Sequence, residues 1–175
     1  GLNNKLQFLF AIQHADFGNM CAEHDGAPGS NTAAEPKTNV MAYNATYLGS
    51  GMSSANPKQE NIFKLRESWG GNYVNGIFGD YNGNGVSIKG EDTPDSKDRL
   101  EAGELNFFGN IFWNVNGYTL ADGIGSEDYT AAHLQDATNG NVEANPMLMG
   151  ISRTQDTGLD PRPEWGSPAW WNLKA

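Results

Sequence analysis

Asn44-Ala45-Thr46-Tyr47, Asn75-Gly76-Ile77-Phe78 and Gly109-Asn110-Ile111-Phe112 are three versions of one short pattern. The aromatic residues that close them lie 31 and 34 residues apart, and every copy sits in an apolar, aromatic run. A pattern that recurs at a near-fixed period points to stacked structural units, because such a unit buries its apolar face only against its neighbours. The three segments read as equivalent strand endings in successive units.

The runs around them read as strands. Leu6-Gln7-Phe8-Leu9-Phe10-Ala11-Ile12 is almost continuously apolar, which suits a strand buried on both sides or set in a parallel sheet. Val40 to Leu48, Tyr73 to Phe78 and Leu105 to Val115 are further long strand regions, and Val86 to Ile88 is a short one. Ile62-Phe63-Lys64-Leu65-Arg66 alternates apolar and basic residues, the period of a half-buried strand, and Gly70-Gly71 is expected to break it. His14 to Thr38, with Gly26, Pro28, Gly29 and Pro36, reads as a long loop, and Ser53 to Glu60 as another. The charged segment Asp92 to Glu101 reads as a solvated loop with at most a helical turn. One helix is expected, over Tyr129 to Leu134, capped by Ser126 and favoured by Glu127 and Asp128 at its positive end. The residues from Gly158 onward, rich in proline and tryptophan, read as an extended tail lying across the molecule.

Composition agrees with an all-β fold. The chain of 175 residues carries 22 Gly and 20 Asn, the residues that tolerate left-handed backbone at tight turns. Only 18% of residues are charged while 11% are aromatic, which argues against disorder along the whole length. The net charge of −10 argues against nucleic acid and against an anionic membrane surface as partners. No run approaches the roughly 18 apolar residues of a spanning helix. Cys21 is the single cysteine, so no disulfide forms within the chain. The chain opens on Gly1 without an initiator Met or a signal-peptide pattern, and is expected to be a mature product or a piece of a longer protein.

Several stretches carry candidate chemistry. Asp80-Tyr81-Asn82-Gly83-Asn84-Gly85, with Glu91 six residues on, satisfies a calcium-loop pattern of hard oxygen ligands around a sharp turn. Asp80, Asn82, Asn84 and Glu91 are therefore candidate calcium ligands. Against this, no helices are expected on either side, Ser87 stands where an apolar anchor belongs, and an Asn-Gly turn needs no metal. His14, Asp16, Glu23, His24 and Asp25 offer a second His/carboxylate set, without an H-x-H or H-E-x-x-H spacing. No nucleophile elbow, activated cysteine or phosphate loop is present, so no catalytic residue is assigned. Trp69, Trp165, Trp170 and Trp171 are candidate platforms for sugar rings, since an aromatic face joins apolar area to a polar edge; packing into the core is the alternative. Trp170 and Trp171 point opposite ways in extended chain, so at least one is expected to be exposed. Trp69, Trp165 and Trp171 are the assigned candidates.

A set of ordered blocks carries a resemblance: Lys5-Leu6-Gln7-Phe8, Glu23-His24-Asp25-Gly26, Asn44 through Gly49, Lys64-Leu65-Arg66-Glu67 with Gly70-Gly71, Arg99 through Gly103, and Ile151-Ser152-Arg153 through Asp160-Pro161-Arg162-Pro163 to Gly166-Ser167-Pro168-Ala169. Together they resemble the C-terminal half of large secreted, right-handed parallel β-helix proteins of Gram-negative bacteria, many of which are exported by the type-nine secretion route. The resemblance implies a pectate-lyase-like solenoid with long loop excursions and one short helix, a single domain over 1–175 forming the C-terminal part of a longer chain. It also implies an extracellular or cell-surface location and missing N-terminal turns, or a partner, over the first residues. It carries over no catalytic residues.

The expected function is a structural or binding role with glycan as ligand, other surface or extracellular proteins as further partners, and calcium as the candidate cofactor. Two alternatives stand beside it: a calcium-dependent polysaccharide lyase or glycoside hydrolase on the same fold, and a calcium-binding jelly-roll lectin, which would show antiparallel strands.

Overall fold

The computed structural model describes residues 2–27, 31–56 and 59–174; Gly1, Pro28, Gly29 and Pro57 of the sequence reading lie outside them. The apolar runs do not form single long strands. Each bends at a residue with positive φ: Phe8 at 59°, Asn44 at 54°, Asn75 at 57° and Gly109 at 63°. Asn and Gly tolerate that region, which is why the repeated pattern begins with them. The run from Leu6 thus becomes β1 (Lys5–Gln7) and β2 (Phe10–Ile12), and the run from Val40 becomes β4 (Asn39–Tyr43) and β5 (Thr46–Leu48), with β3 (Ala22–Asp25) between them. Next come β6 (Asn61–Arg66), β7 (Gly70–Val74), β8 (Ile77–Tyr81) and β9 (Asn84–Ile88), then β10 (Leu105–Phe108) and β11 (Ile111–Val115). The three copies are therefore corners that open a strand, not strand endings. Gly70-Gly71 opens β7 instead of breaking a strand.

The strands fall into four sheets: β1-β4-β7-β10, β12-β11-β8-β5-β2, β3-β6-β9, and a pair formed by β13 (Leu148–Gly150) and β14 (Asp160–Pro163), where β12 is Val142–Glu143. The first three are parallel throughout; the last is antiparallel. This corrects the expected right-handed parallel β-helix. The chain is mostly β, but in several sheets of two to five strands and not in one solenoid. The physical reason lies after β11. Residues 116–127 supply only isolated bridges, such as Val86 with Gly125, and a helix follows, so the three-stranded sheet stops at β9 while its neighbour continues to β12. The parallel pairing likewise excludes the jelly roll.

Among the described residues two short α-helices are present where one was expected. In α1 (Ser96–Glu101) the cap is Asp95, only 1% exposed, whose carboxylate accepts the Ser96 N–H at 2.7 Å while Asp98 accepts the Asp95 N–H. The charged segment is anchored at Asp95 and Arg99 while Asp92, Asp98 and Glu101 stay exposed: Arg99 is buried and donates to the carbonyls of Ser68 and Thr38. α2 (Asp128–Gln135) is capped at Glu127, and the Ser126 hydroxyl instead accepts from Asn61.

Register lines the inward residues into columns. Tyr47, Phe78 and Phe112 are aligned partners across three strands, as are Ala42, Tyr73 and Phe107. Phe63 of β6 stands among them, with ring centroids 4.7 Å from Tyr73, 4.8 Å from Phe78 and 5.3 Å from Phe107. Burying a side chain of this size contributes roughly 1.5–3 kcal/mol, so the aromatic columns contribute substantially to the core, alongside buried aliphatic residues such as Leu65, Ile88 and Leu105.

Candidate functional site

The corner between the four- and five-stranded sheets positions the candidate site. Behind each left-handed residue lies a second, inward position: Leu9, Ala45, Gly76, Asn110, Asn141. The carbonyls of the first four take the first N–H of the next strand along the stack, as Ala45 does from Ile77 at 2.8 Å and Gly76 from Ile111 at 2.8 Å. Asn110 is fully buried, and its amide is fully used. It accepts from Gly76 N–H at 2.8 Å and donates to the Tyr73 carbonyl at 3.0 Å and to the Asn141 side chain at 3.0 Å. Asn141 in turn donates to the Phe107 carbonyl at 2.9 Å. A buried amide with every group paired locks the spacing of successive layers. Gly140-Asn141-Val142-Glu143 is thus a fourth copy of the pattern, in register with β11 and hidden in the sequence by Glu143 at the aromatic position.

The C-terminal tail lies along the outside of this corner. Ser167 ties it down, donating to the Pro146 carbonyl at 2.6 Å and accepting from Ala169 N–H as a 3₁₀ turn (Pro168–Trp170) begins. Trp170 donates its indole N–H to the Glu164 carbonyl at 2.9 Å. Asn75 then grips the main chain of Lys174 from both sides, accepting its N–H at 2.8 Å and donating to its carbonyl at 3.0 Å. Between tail and corner runs a groove of about 290 Å³, with Asn44, Thr46, Asn75, Pro161, Pro163 and Trp170 in its lining.

The assigned tryptophans divide. Trp165 is 84% exposed and Trp171 68%, meeting edge to face with centroids 6.2 Å apart on the tail, outside the lining of the groove. Trp170, 49% exposed, lines the groove itself, and the sequence reading did not assign it. Trp69 is only 4% exposed and stacks on His24 at 4.8 Å, so it is not an open platform. It lines a different cavity of about 290 Å³, beneath β1 and β3, with His24, Tyr47, Tyr73 and Leu6. There His24 Nε2 and the Tyr73 hydroxyl are 2.6 Å apart, and burial lowers the His24 pKa. Burial also raises Tyr73 well above the ordinary tyrosine value.

The calcium candidates sit in separate elements. Asp80 lies within β8 and is held by Arg153 at 2.7 Å and by the Asn114 amide at 3.3 Å. Asn82, in the turn, points its amide N–H at the Ser54 carbonyl, Asn84 opens β9, and Glu91 pairs with Lys89 at 3.3 Å. Asp80 would have to release Arg153 to bind a cation, leaving a largely enclosed guanidinium with the Gly49 carbonyl but without its carboxylate. The His14 set is also dispersed. His14 and Asp16 pair in a loop at 3.8 Å, while strand alternation sends His24 inward and Glu23 and Asp25 outward to Arg66. Among the described residues no group of three or more His, Cys, Asp and Glu is placed to hold a metal. Burial pushes the Cys21 thiol up to about 12, far from thiolate chemistry at neutral pH. No helix of the described residues is long and apolar enough to cross a membrane.

Comparison with protein families, curated proteins and solved structures finds no match for the chain. What the fold and site define is a class: a β-rich, parallel-sheet protein with an aromatic groove between a sheet corner and its own tail.

Proposed function

We propose that the chain is a structural and binding module of the cell exterior whose tail groove takes glycan. The observation that carries this is the half-exposed indole of Trp170 in the lining of a groove that also offers Asn44, Thr46 and Asn75, with the exposed Trp165 and Trp171 on the same tail segment. Aromatic faces stack on the C–H faces of sugar rings, while amides and hydroxyls match ring hydroxyls, the usual division of labour in a concave ligand site. The resemblance of the ordered sequence blocks to secreted surface proteins supports the location. The unpaired edges of β1, β2 and β3 favour a strand-bearing polypeptide neighbour at that end of the sheets.

The test is a titration of the chain with a panel of soluble glycans, followed by tryptophan fluorescence. A binder is expected to quench the emission, and Trp170→Ala to weaken it at least tenfold. If no glycan in the panel alters the emission, or if Trp170→Ala binds as the parent does, the reading fails.

A further inference from the structure

The outer face of the four-stranded sheet carries a further cavity, of about 390 Å³. Its construction follows from register. Tyr43, Val74 and Phe108 are aligned partners on β4, β7 and β10, so the two aromatic residues stand two strand spacings apart, about 9–10 Å, on either side of the shorter Val74. That leaves a slot wide enough for one ring-shaped ligand with an aromatic side chain on each flank.

The next row along the same strands is Met41, Asn72 and Asn106. Asn106 donates its amide N–H to Asn72 Oδ1 at 3.0 Å, which turns the Asn72 NH₂ toward the Met41 sulfur at 3.2 Å. A thioether is a weak acceptor, so this NH₂ retains most of its capacity to donate to a ligand oxygen. Lys174 completes the lining, its ammonium on the Thr138 carbonyl at 2.8 Å. Among the described residues none of those lining the cavity carries a carboxylate, although the chain carries a net charge of −10. The tail joins the two sites: Leu173 lines the groove and Lys174 lines this cavity.

We infer that this cavity is a second sugar subsite, seating one ring of a linear oligosaccharide between Tyr43 and Phe108, with Asn72 donating to a ring oxygen. This rests on the glycan reading of the groove and extends it: the ligand is a chain of sugars long enough to cross the Leu173–Lys174 end of the tail.

The experiment is calorimetric titration of the full chain with two- and six-sugar oligomers of glucose, N-acetylglucosamine and galacturonic acid. In at least one series the six-sugar oligomer is expected to bind tenfold or more tightly than the two-sugar one. Tyr43→Ala, Phe108→Ala and Asn72→Ala each reduce that advantage at least fivefold and leave two-sugar affinity within twofold. Tyr43→Phe, which keeps the ring, retains the advantage and controls for misfolding. Trp170→Ala weakens both lengths. A length advantage untouched by all three alanine variants, or no length advantage at all, overturns the subsite while leaving the groove standing. An absence of binding in every series overturns both.

Discussion

At the end formed by β9 and β10, the outermost strands meet side chains built to receive them; at the end formed by β1, β2 and β3, none of the described residues does this. The edge of β10 gives its Phe107 N–H to His133 Nε2 at 3.1 Å and its Phe107 carbonyl to Asn141. The edge of β9 gives its Ile88 N–H to the Glu127 carboxylate at 3.0 Å and its Ile88 carbonyl to the Tyr129 hydroxyl at 2.6 Å. At the other end Leu2, Leu6, Phe8 and Phe10 are exposed, and the inward cavity under β1 and β3 opens between them. The same parallel pairing is thus finished with polar caps on one side and left with apolar side chains on the other. Stability in this molecule is set by what covers a layer and not by strand pairing alone.

The largest expected effect contrasts two phenylalanines of one sheet. Phe112→Ala, in the capped half of the aromatic columns, should cost about 3–5 kcal/mol in urea unfolding. Phe10→Ala, at the open edge and 42% exposed, should cost under about 1 kcal/mol. Equal losses would break the comparison. A smaller effect belongs to the caps. Glu127→Ala strips acceptors from Ser87, Ile88 and Thr130, and should cost about 1–3 kcal/mol with an unchanged m-value.

Each end also holds a half-buried histidine, His24 at the open end and His133 at the capped one, and burial lowers both pKa values from the ordinary 6.5. A lowered folded pKa means that the unfolded chain binds the proton first. Their contribution to stability is therefore full above about pH 6.5 and is lost as pH falls from there toward the folded values. His133 must be unprotonated at Nε2 to accept the Phe107 N–H, so protonation also opens the cap. Melting temperatures should fall between pH 7 and pH 5. The fall should shrink in His133→Gln, which keeps an acceptor, and in His24→Phe, which keeps the stack on Trp69. A slope unchanged in both variants would remove the histidines from the account.

The repeated pattern made the stacking legible in the sequence, because Tyr47, Phe78 and Phe112 do align across neighbouring strands. It hid the corners, since a nine-residue apolar run does not reveal that one left-handed Asn divides it into two strands in different sheets. It hid the fourth copy, where Glu143 replaces an aromatic residue. It could not reveal the division into several sheets, which depends on residues 116–127 failing to add a strand. The exposed Trp165 and Trp171 were legible from their setting among prolines. Trp170 as groove wall, and Asn72 with its underused amide, were not, because both depend on partners far away in sequence. The calcium pattern of Asp80 misled for the same reason: its partner, Arg153, is 73 residues away.

Native-state hydrogen exchange tests the contrast between the ends most directly. The amides of Phe8 and Gln13, bonded to Tyr43 and Leu48 from the open layer, are expected to exchange through local opening. Those of Ile77 and Ile111, bonded within the covered layers, should exchange only with global unfolding. Equal protection of all four amides in the isolated chain would contradict that contrast.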